Sequence, residues 1–251
     1  MRGKRGSAVC LAMFMLISCS PAMSQDALHL LHKMQQALGG ADRIASIQDF
    51  EQSVHAETWD DNGKLIGTVR KRTRWSRPST LRLDQVGPND TYVLYFNGQS
   101  GWEILPDQTV ADLEGGELKF AEKYLRDFSL HLWLADQDPI YVIESPATNV
   151  ITICVKGDLS SKLEITLDPG TFRPVKQTTI SLSDPAHPVA SETRFDKWTE
   201  VGGVKFAQRI TIFQRNRKAA EITVEQTRVN TRIKASELAI KPSDLKPVMA
   251  R

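Results

Sequence analysis

The sequence predicts an α+β, mainly β fold: a curved antiparallel half-barrel of about 11 strands, with an N-terminal helix and a central helix covering its concave face. Three observations predict it. Apolar residues recur at helical spacing in two stretches, 26–38 and 117–134. Between Phe50 and Asn230 the rest of the chain alternates with a period of two. The turns between these runs are hairpin-length, so neighbouring strands are antiparallel, and a sheet this wide must curl to avoid long exposed edges.

Residues 1–24 are set apart as an export signal. Arg2, Lys4 and Arg5 form a positive start, and Ala8 to Ile17 is apolar apart from Cys10. That run is shorter than the roughly 20 apolar residues of a membrane span. Two cleavage sites compete. Ala22-Met23-Ser24 before Gln25 suits an ordinary signal peptidase, whereas Leu16-Ile17-Ser18-Cys19 resembles a bacterial lipobox in which Cys19 is lipidated. The signal also carries the excess basic charge. Without its three basic residues the count of 32 Lys and Arg falls to 29, against 30 Asp and Glu. Nothing global therefore argues for nucleic acid. Residues 25–245 are read as one domain and 246–251 as an irregular tail.

In the first helix Ala27, Leu31, Met34 and Leu38 form a stripe that Leu28 and Leu30 widen. Gly39-Gly40 ends it, and Asp42 opens a short turn bearing Ile44 and Ile47. Phe50, Val54 and Ala56 then face one way while Glu51, Ser53, His55 and Glu57 face the other. Strands follow at 65–75, 80–86, 91–96 and 101–105, with a weaker one near 109–113. Asn97-Gly98 supplies positive φ angles for the hairpin in "YFNGQSGWEILP". The central helix sets Leu118, Ala121, Leu125, Phe128 and Leu132 on one face, broadened by Phe120 and Tyr124, and runs to Leu134. Asp138-Pro139 stops it. Strands resume at 141–144, 150–155, 163–167, 175–182, 189–198, 205–214 and 219–230. Asp168-Pro169-Gly170 suits a type II turn, and Gly202-Gly203 a two-residue hairpin.

Catalytic patterns are mostly absent: the chain has no HExxH, GxSxG, P-loop or dinucleotide glycine motif. His29 and His32 are three apart on the first helix, without an acidic residue in the same two turns to complete a metal site. His55 and His131 lack a recognisable partner, and Asp136 and Asp138 read as a helix stop. Cys154, flanked by Ile153 and Val155, reads as a small core residue. No enzyme, metal or cofactor is expected. In "VRKRTRWSRP", Arg70, Arg72 and Arg74 share one strand face. They are either a solvated convex surface with cross-strand acidic neighbours or a contact for anionic headgroups or an acidic partner. Aromatic interleaving is too sparse for nucleic-acid stacking.

The segment "LLHKMQQALGGADRIASIQDFEQSV", the hairpin "VLYFNGQSGWEILP", the Gly-Gly hairpin "WTEVGGVKFAQRITIF" and the closing "IKPSDL" together resemble the LolA/LolB-like superfamily. These are the bacterial lipoprotein-sorting and lipid-carrier folds. The resemblance implies a half-barrel with helices as a lid, binding lipid or lipoprotein acyl chains by apolar burial, in the periplasm. Its candidate cavity residues are Leu94, Phe96, Trp102, Leu118, Ala121, Leu125, Phe128 and Leu132. If Cys19 is lipidated, Ser20 beside it directs the protein to the outer membrane. A monomer is expected, with a membrane or envelope protein as a further partner. The rival reading is a periplasmic protein-interaction module of envelope-stress regulation with the same fold. No residue carries over as a lipoprotein-binding determinant.

Overall fold

The computed structural model describes residues 25–88, 91–181, 189–241 and 246–247. The expected export signal, with Cys19, lies outside the described residues. The first half of the chain is α1 (Gln25–Leu38), α2 (Ala41–Ala45), β1 (Asp49–Trp59), β2 (Leu65–Ser76), β3 (Thr80–Val86), β4 (Thr91–Phe96), β5 (Gly101–Ile104) and β6 (Thr109–Asp112). Helices α3 (Gly115–Arg126) and α4 (Ser129–Leu132) and a 3-10 turn (Ala135–Gln137) lead into the second half. It comprises β7 (Tyr141–Ala147), β8 (Val150–Val155), β9 (Asp158–Leu167), β10 (Pro174–Ser181), β11 (Val189–Val201), β12 (Val204–Gln214) and β13 (Arg217–Val229). A short α5 (Ala235–Leu238) and β14 (Lys246–Pro247) follow.

Among the described residues all the strands belong to one sheet, in the order β14-β6-β5-β4-β3-β2-β1-β13-β12-β11-β10-β9-β8-β7. Two meanders, β1 to β6 and β7 to β13, are joined where β1 pairs antiparallel with β13. The strand count is 14 among the described residues, above the expected 11 or so. The weak run at 109–112 and both halves of the 141–155 hairpin are full members. Lys246–Pro247 adds a parallel pair to β6, inside the stretch expected to be an irregular tail.

The core explains the shape. Helix α1 buries Ala27, Leu31, Met34 and Leu38 and packs against β7, β8 and β12. In a flat sheet β7 and β12 would lie about 24 Å apart, at about 4.8 Å per strand. The same core takes in Leu81 and Phe96 from β3 and β4 together with Ile143 and Ile153 from β7 and β8. One core fed from both ends of so wide a sheet is compatible with a curved half-barrel. Its end strands β7 and β14 are not paired with each other, so the sheet is open.

Four local expectations are corrected. The central helix is broken: Asp127 ends α3, and Phe128 adopts extended backbone at φ −62°, ψ 132° before α4 starts. A continuous helix would carry Phe128 along the α3 axis, whereas the break drops its ring onto Phe50 and Trp75. Phe120 does not broaden the buried face; it is 56% exposed. The Asp168 turn is not type II, because its left-handed residue is Phe172 at φ 57°. There the Asp168 carboxylate accepts the backbone N–H groups of Gly170 and Thr171 and sets the chain direction itself. Cys154 is half-buried, since alternation along β8 gives the core face to Ile151 and Ile153.

The glycine turns couple the halves. Gly202 and Gly203, both at positive φ, form the predicted two-residue hairpin between β11 and β12. Gly39, at φ 126°, ends α1 against it. A Cβ on Gly39 would lie 2.1 Å from the carbonyl oxygen of Gly203.

Candidate functional site

A cavity of about 90 Å³ lies between the concave face and the broken helix. Its lining includes Phe50 of β1, Phe128 and Trp133 from the broken helix, and Phe195, Phe206 and Ile210 of β11 and β12. Aromatic contacts hold the walls in place: Phe128 against Phe50 at 5.3 Å and Trp133 against Phe206 at 5.8 Å between centroids. The polar side chains in the lining are Gln52, Ser129 and Gln177. It therefore contains no carboxylate, histidine or cation to run acid–base chemistry.

Beyond the helices the concave face continues as an apolar trough. The pairing registers set Val69, Ala56, Ile222, Ile210 and Phe195 in one row across β2, β1, β13, β12 and β11. Ala56 is buried and the other four are half-buried. On the opposite face the same strands carry His55, Glu57, Thr223, Arg209 and Asp196. Phe195 and Ile210 belong to both trough and cavity, which makes the two surfaces continuous.

Polar groups sit at the β2–β5 side of the concave face. Tyr92 donates its hydroxyl to Glu103 Oε2 at 2.9 Å, and burial together with this carboxylate pushes the Tyr92 pKa up strongly. Burial raises the Tyr124 pKa, opposed by a hydrogen bond with Thr73. Lys71 lies opposite Val54 on one side and Gln85 on the other. Among the described residues its ammonium has no hydrogen-bond or ion-pair partner, and burial pushes its pKa down.

Of the eight candidate cavity residues, Phe128 and Leu132 line the cavity. Leu94, Phe96, Ala121 and Leu125 are buried in the main core, with Leu118 packed against it. Trp102 is on the other side of the sheet. Alternation along β4 turns Leu94 and Phe96 inward and Val93 and Tyr95 outward, and Trp102 pairs with Tyr95. Its ring stacks on Tyr95 at 5.4 Å, with the Arg82 and Lys241 cations 5.5 and 5.8 Å from its centre. Sequence reasoning missed Phe195, Trp198, Phe206 and Ile210. The signal for Phe195, Phe206 and Ile210 was the alternation in "RFDKWTEV" and "VKFAQRITIF", read for strands but not for the face they share; Lys197, at φ 54° and skipped in the pairing with β12, interrupts that alternation before Trp198.

The arginine strand is largely matched by carboxylates. Arg72 donates to Glu51 Oε2 and Arg74 to Asp84 Oδ2, both at 2.6 Å. Arg82 donates to Asp84 Oδ1 at 2.9 Å. Arg70 is the exposed one, with 78% of its side chain accessible and Glu225 at 4.0 Å. Cross-strand neutralisation, rather than a free cationic face, describes Arg72 and Arg74. His32 on α1 faces Asp136 at 3.2 Å, and Gln35 donates to the same carboxylate, tying α1 to the 3-10 turn. Among the described residues no group of three His, Cys, Asp or Glu side chains is placed to hold a metal ion. No helix among them is long and apolar enough to cross a membrane.

Comparison with solved structures matches this architecture over most of the chain. A DUF1329 family protein from Desulfovibrio piger superposes with a TM-score of 0.59 at 11% identity, covering 88% of this chain and 99% of its own. A LolA superfamily protein from Nitrosomonas europaea gives 0.58 at 14% identity, covering 86% and 97%. The fold is LolA/LolB-like. A Vibrio parahaemolyticus domain named for outer membrane lipoprotein sorting gives 0.54 at 11% identity, covering 85% and 96%. No family model and no curated protein matches the sequence. In the LolA/LolB-like fold seen here, the open sheet and the broken helix enclose the cavity between them.

Proposed function

We propose that the protein is an exported carrier of lipid or lipoprotein acyl chains. The observation that carries this reading is the apolar cavity and its continuity, through Phe195 and Ile210, with the trough. Each methylene moved from water to such a surface contributes ~0.8 kcal/mol, so affinity needs no polar chemistry. The named role of the Vibrio parahaemolyticus domain supports the same class of cargo.

The size of the cavity adds a mechanical requirement. At about 90 Å³ it accepts the end of one chain and not a pair of whole chains. Loading therefore proceeds along the trough or by displacement of the segment from α3 to the 3-10 turn. That segment is built of short pieces, and its packing on the sheet, through Leu125, Phe128, Leu130 and Trp133 among others, is what loading by displacement has to open.

The basic and apolar segment ahead of Gln25 supports export, and Cys19 supports a lipid tether to the outer membrane. Arg70 is the arginine left for an anionic headgroup or an acidic partner. Native mass spectrometry of the exported protein, purified without detergent, tests the carrier reading. A discrete added mass that organic extraction removes and that matches an acyl lipid is the expected result. A bare polypeptide mass that stays bare after incubation with lysophospholipid or lipopeptide overturns it and favours a protein-contact module.

A further inference from the structure

We infer that Lys71 anchors the carboxylate of a single-chain fatty acid whose tail lies along the trough from Val69 toward Phe195. The inference rests on the carrier reading and names the cargo's head. Val69 and Lys71 are two apart on β2 and so point to the same face, while Arg70 and Arg72 point to the other. Lys71 thus stands at the β2 end of the apolar row. Four strand spacings carry that row about 19 Å, enough for a medium-length acyl chain, and it ends at the cavity. A partly desolvated ammonium between Val54 and Gln85, with no carboxylate partner among the described residues, is unfavourable unless a counter-charge arrives. Glu103, which shares this face through its pairing with Leu94, is already engaged by Tyr92.

The head is a carboxylate rather than a phosphate because Lys71 brings one ammonium to this face while Arg70, Arg72 and Arg74 of the same strand point to the other. Phosphate recognition draws on guanidinium forks or several cations. The neighbouring forks, Arg72 and Arg74, lie on the opposite face and are held by Glu51 and Asp84.

Isothermal titration of dodecanoate, dodecanol and dodecyl phosphate into the wild-type chain, Lys71→Met and Lys71→Arg tests this. The wild type is expected to bind dodecanoate about tenfold tighter than dodecanol. Lys71→Met should bring the two within about twofold by weakening dodecanoate alone, and Lys71→Arg should keep the preference. Thermal unfolding controls for folding: Lys71→Met removes a desolvated charge and should melt no lower than wild type. Wild-type binding of both ligands without preference, or a preference that survives Lys71→Met, overturns the anchor and leaves the carrier reading standing. Lys71-dependent binding of dodecyl phosphate tighter than dodecanoate overturns the carboxylate assignment. Failure of all three ligands to bind removes the carrier reading and the inference together.

Discussion

The ring of Phe128 meets the ring of Phe50 edge-on, with centroids 5.3 Å apart and planes at 75°. Trp75 closes on the same Phe128 ring at 5.8 Å. Phe128 sits at the break between α3 and α4, so one side chain joins the helical cover to the sheet and forms a cavity wall. A charge placed there is desolvated among aromatics and disrupts that wall. Phe128→Asp should weaken binding of a fluorescent fatty acid by at least about tenfold, whereas Phe120→Asp, on the exposed side of α3, should leave it unchanged. Equal binding by a folded Phe128→Asp variant would place the ligand elsewhere.

Gly39 and Gly40 predict a contrast within one turn. Both have positive φ, but a Cβ on Gly39 would strike the Gly203 carbonyl, while one on Gly40 would find nothing within 4 Å. Gly39→Ala combines backbone strain with overlap against an unyielding main chain, for a loss of about 3 kcal/mol. Gly40→Ala carries the strain alone, about 2 kcal/mol. Urea unfolding midpoints for the two variants measure the difference. Matching shifts would show that the α1 end does not press on the β11–β12 hairpin.

Much of the fold was legible because its signals are local. The stripe Ala27, Leu31, Met34 and Leu38 and the alternation around Val54 each depend on a few neighbouring residues, and both held. The break at Phe128 was not legible, since Leu118 to Leu132 keeps a helical period through it. What overrides the period is the tertiary contact of Phe128 with Phe50, more than seventy residues away in sequence. The site suffered similarly. Trp102 is apolar, aromatic and beside a turn, as a cavity residue would be, but its face is fixed by pairing with Tyr95, and that pairing turns it outward. The trough needs the registers of five strands at once, which one strand's alternation cannot supply.

His131 should make stability depend on pH. Its Nδ1–H donates to the Leu125 carbonyl at 2.9 Å, and its ring meets Trp75 edge-on at 5.4 Å. Burial pushes its pKa down, helped by the Arg77 cation and opposed by the Leu125 carbonyl and Asp138. The folded chain thus holds the ring neutral at pH values where the unfolded chain, with a pKa near 6.5, takes up a proton. The stabilisation is complete above about pH 6.5 and declines as the pH falls from there toward the depressed folded value. His131→Asn retains a donor for the Leu125 carbonyl but does not titrate. Urea unfolding at about pH 7.5 and pH 5.5 should show a smaller loss for the variant than for wild type. Equal losses would assign the dependence to other groups.

The arginines of β2 should separate by burial rather than by charge. Arg74 and Arg82 share the Asp84 carboxylate, and Arg82 also donates to the Leu238 and Ile240 carbonyls that lead toward β14. Arg74 is 18% exposed, so Arg74→Ser removes a shielded partner from Asp84 and should cost about 2 kcal/mol in urea unfolding. Arg70 is exposed and distant from its carboxylate, so Arg70→Ser should change stability by no more than about 0.5 kcal/mol. The order reverses for surface contact: Arg70→Ser should weaken association with anionic liposomes at low salt, with the difference disappearing at high salt. An unchanged association curve would make Arg70 an ordinary solvated side chain. A stability loss at Arg70 as large as that at Arg74 would contradict the assignment of the partly shielded ion-pair network to Asp84.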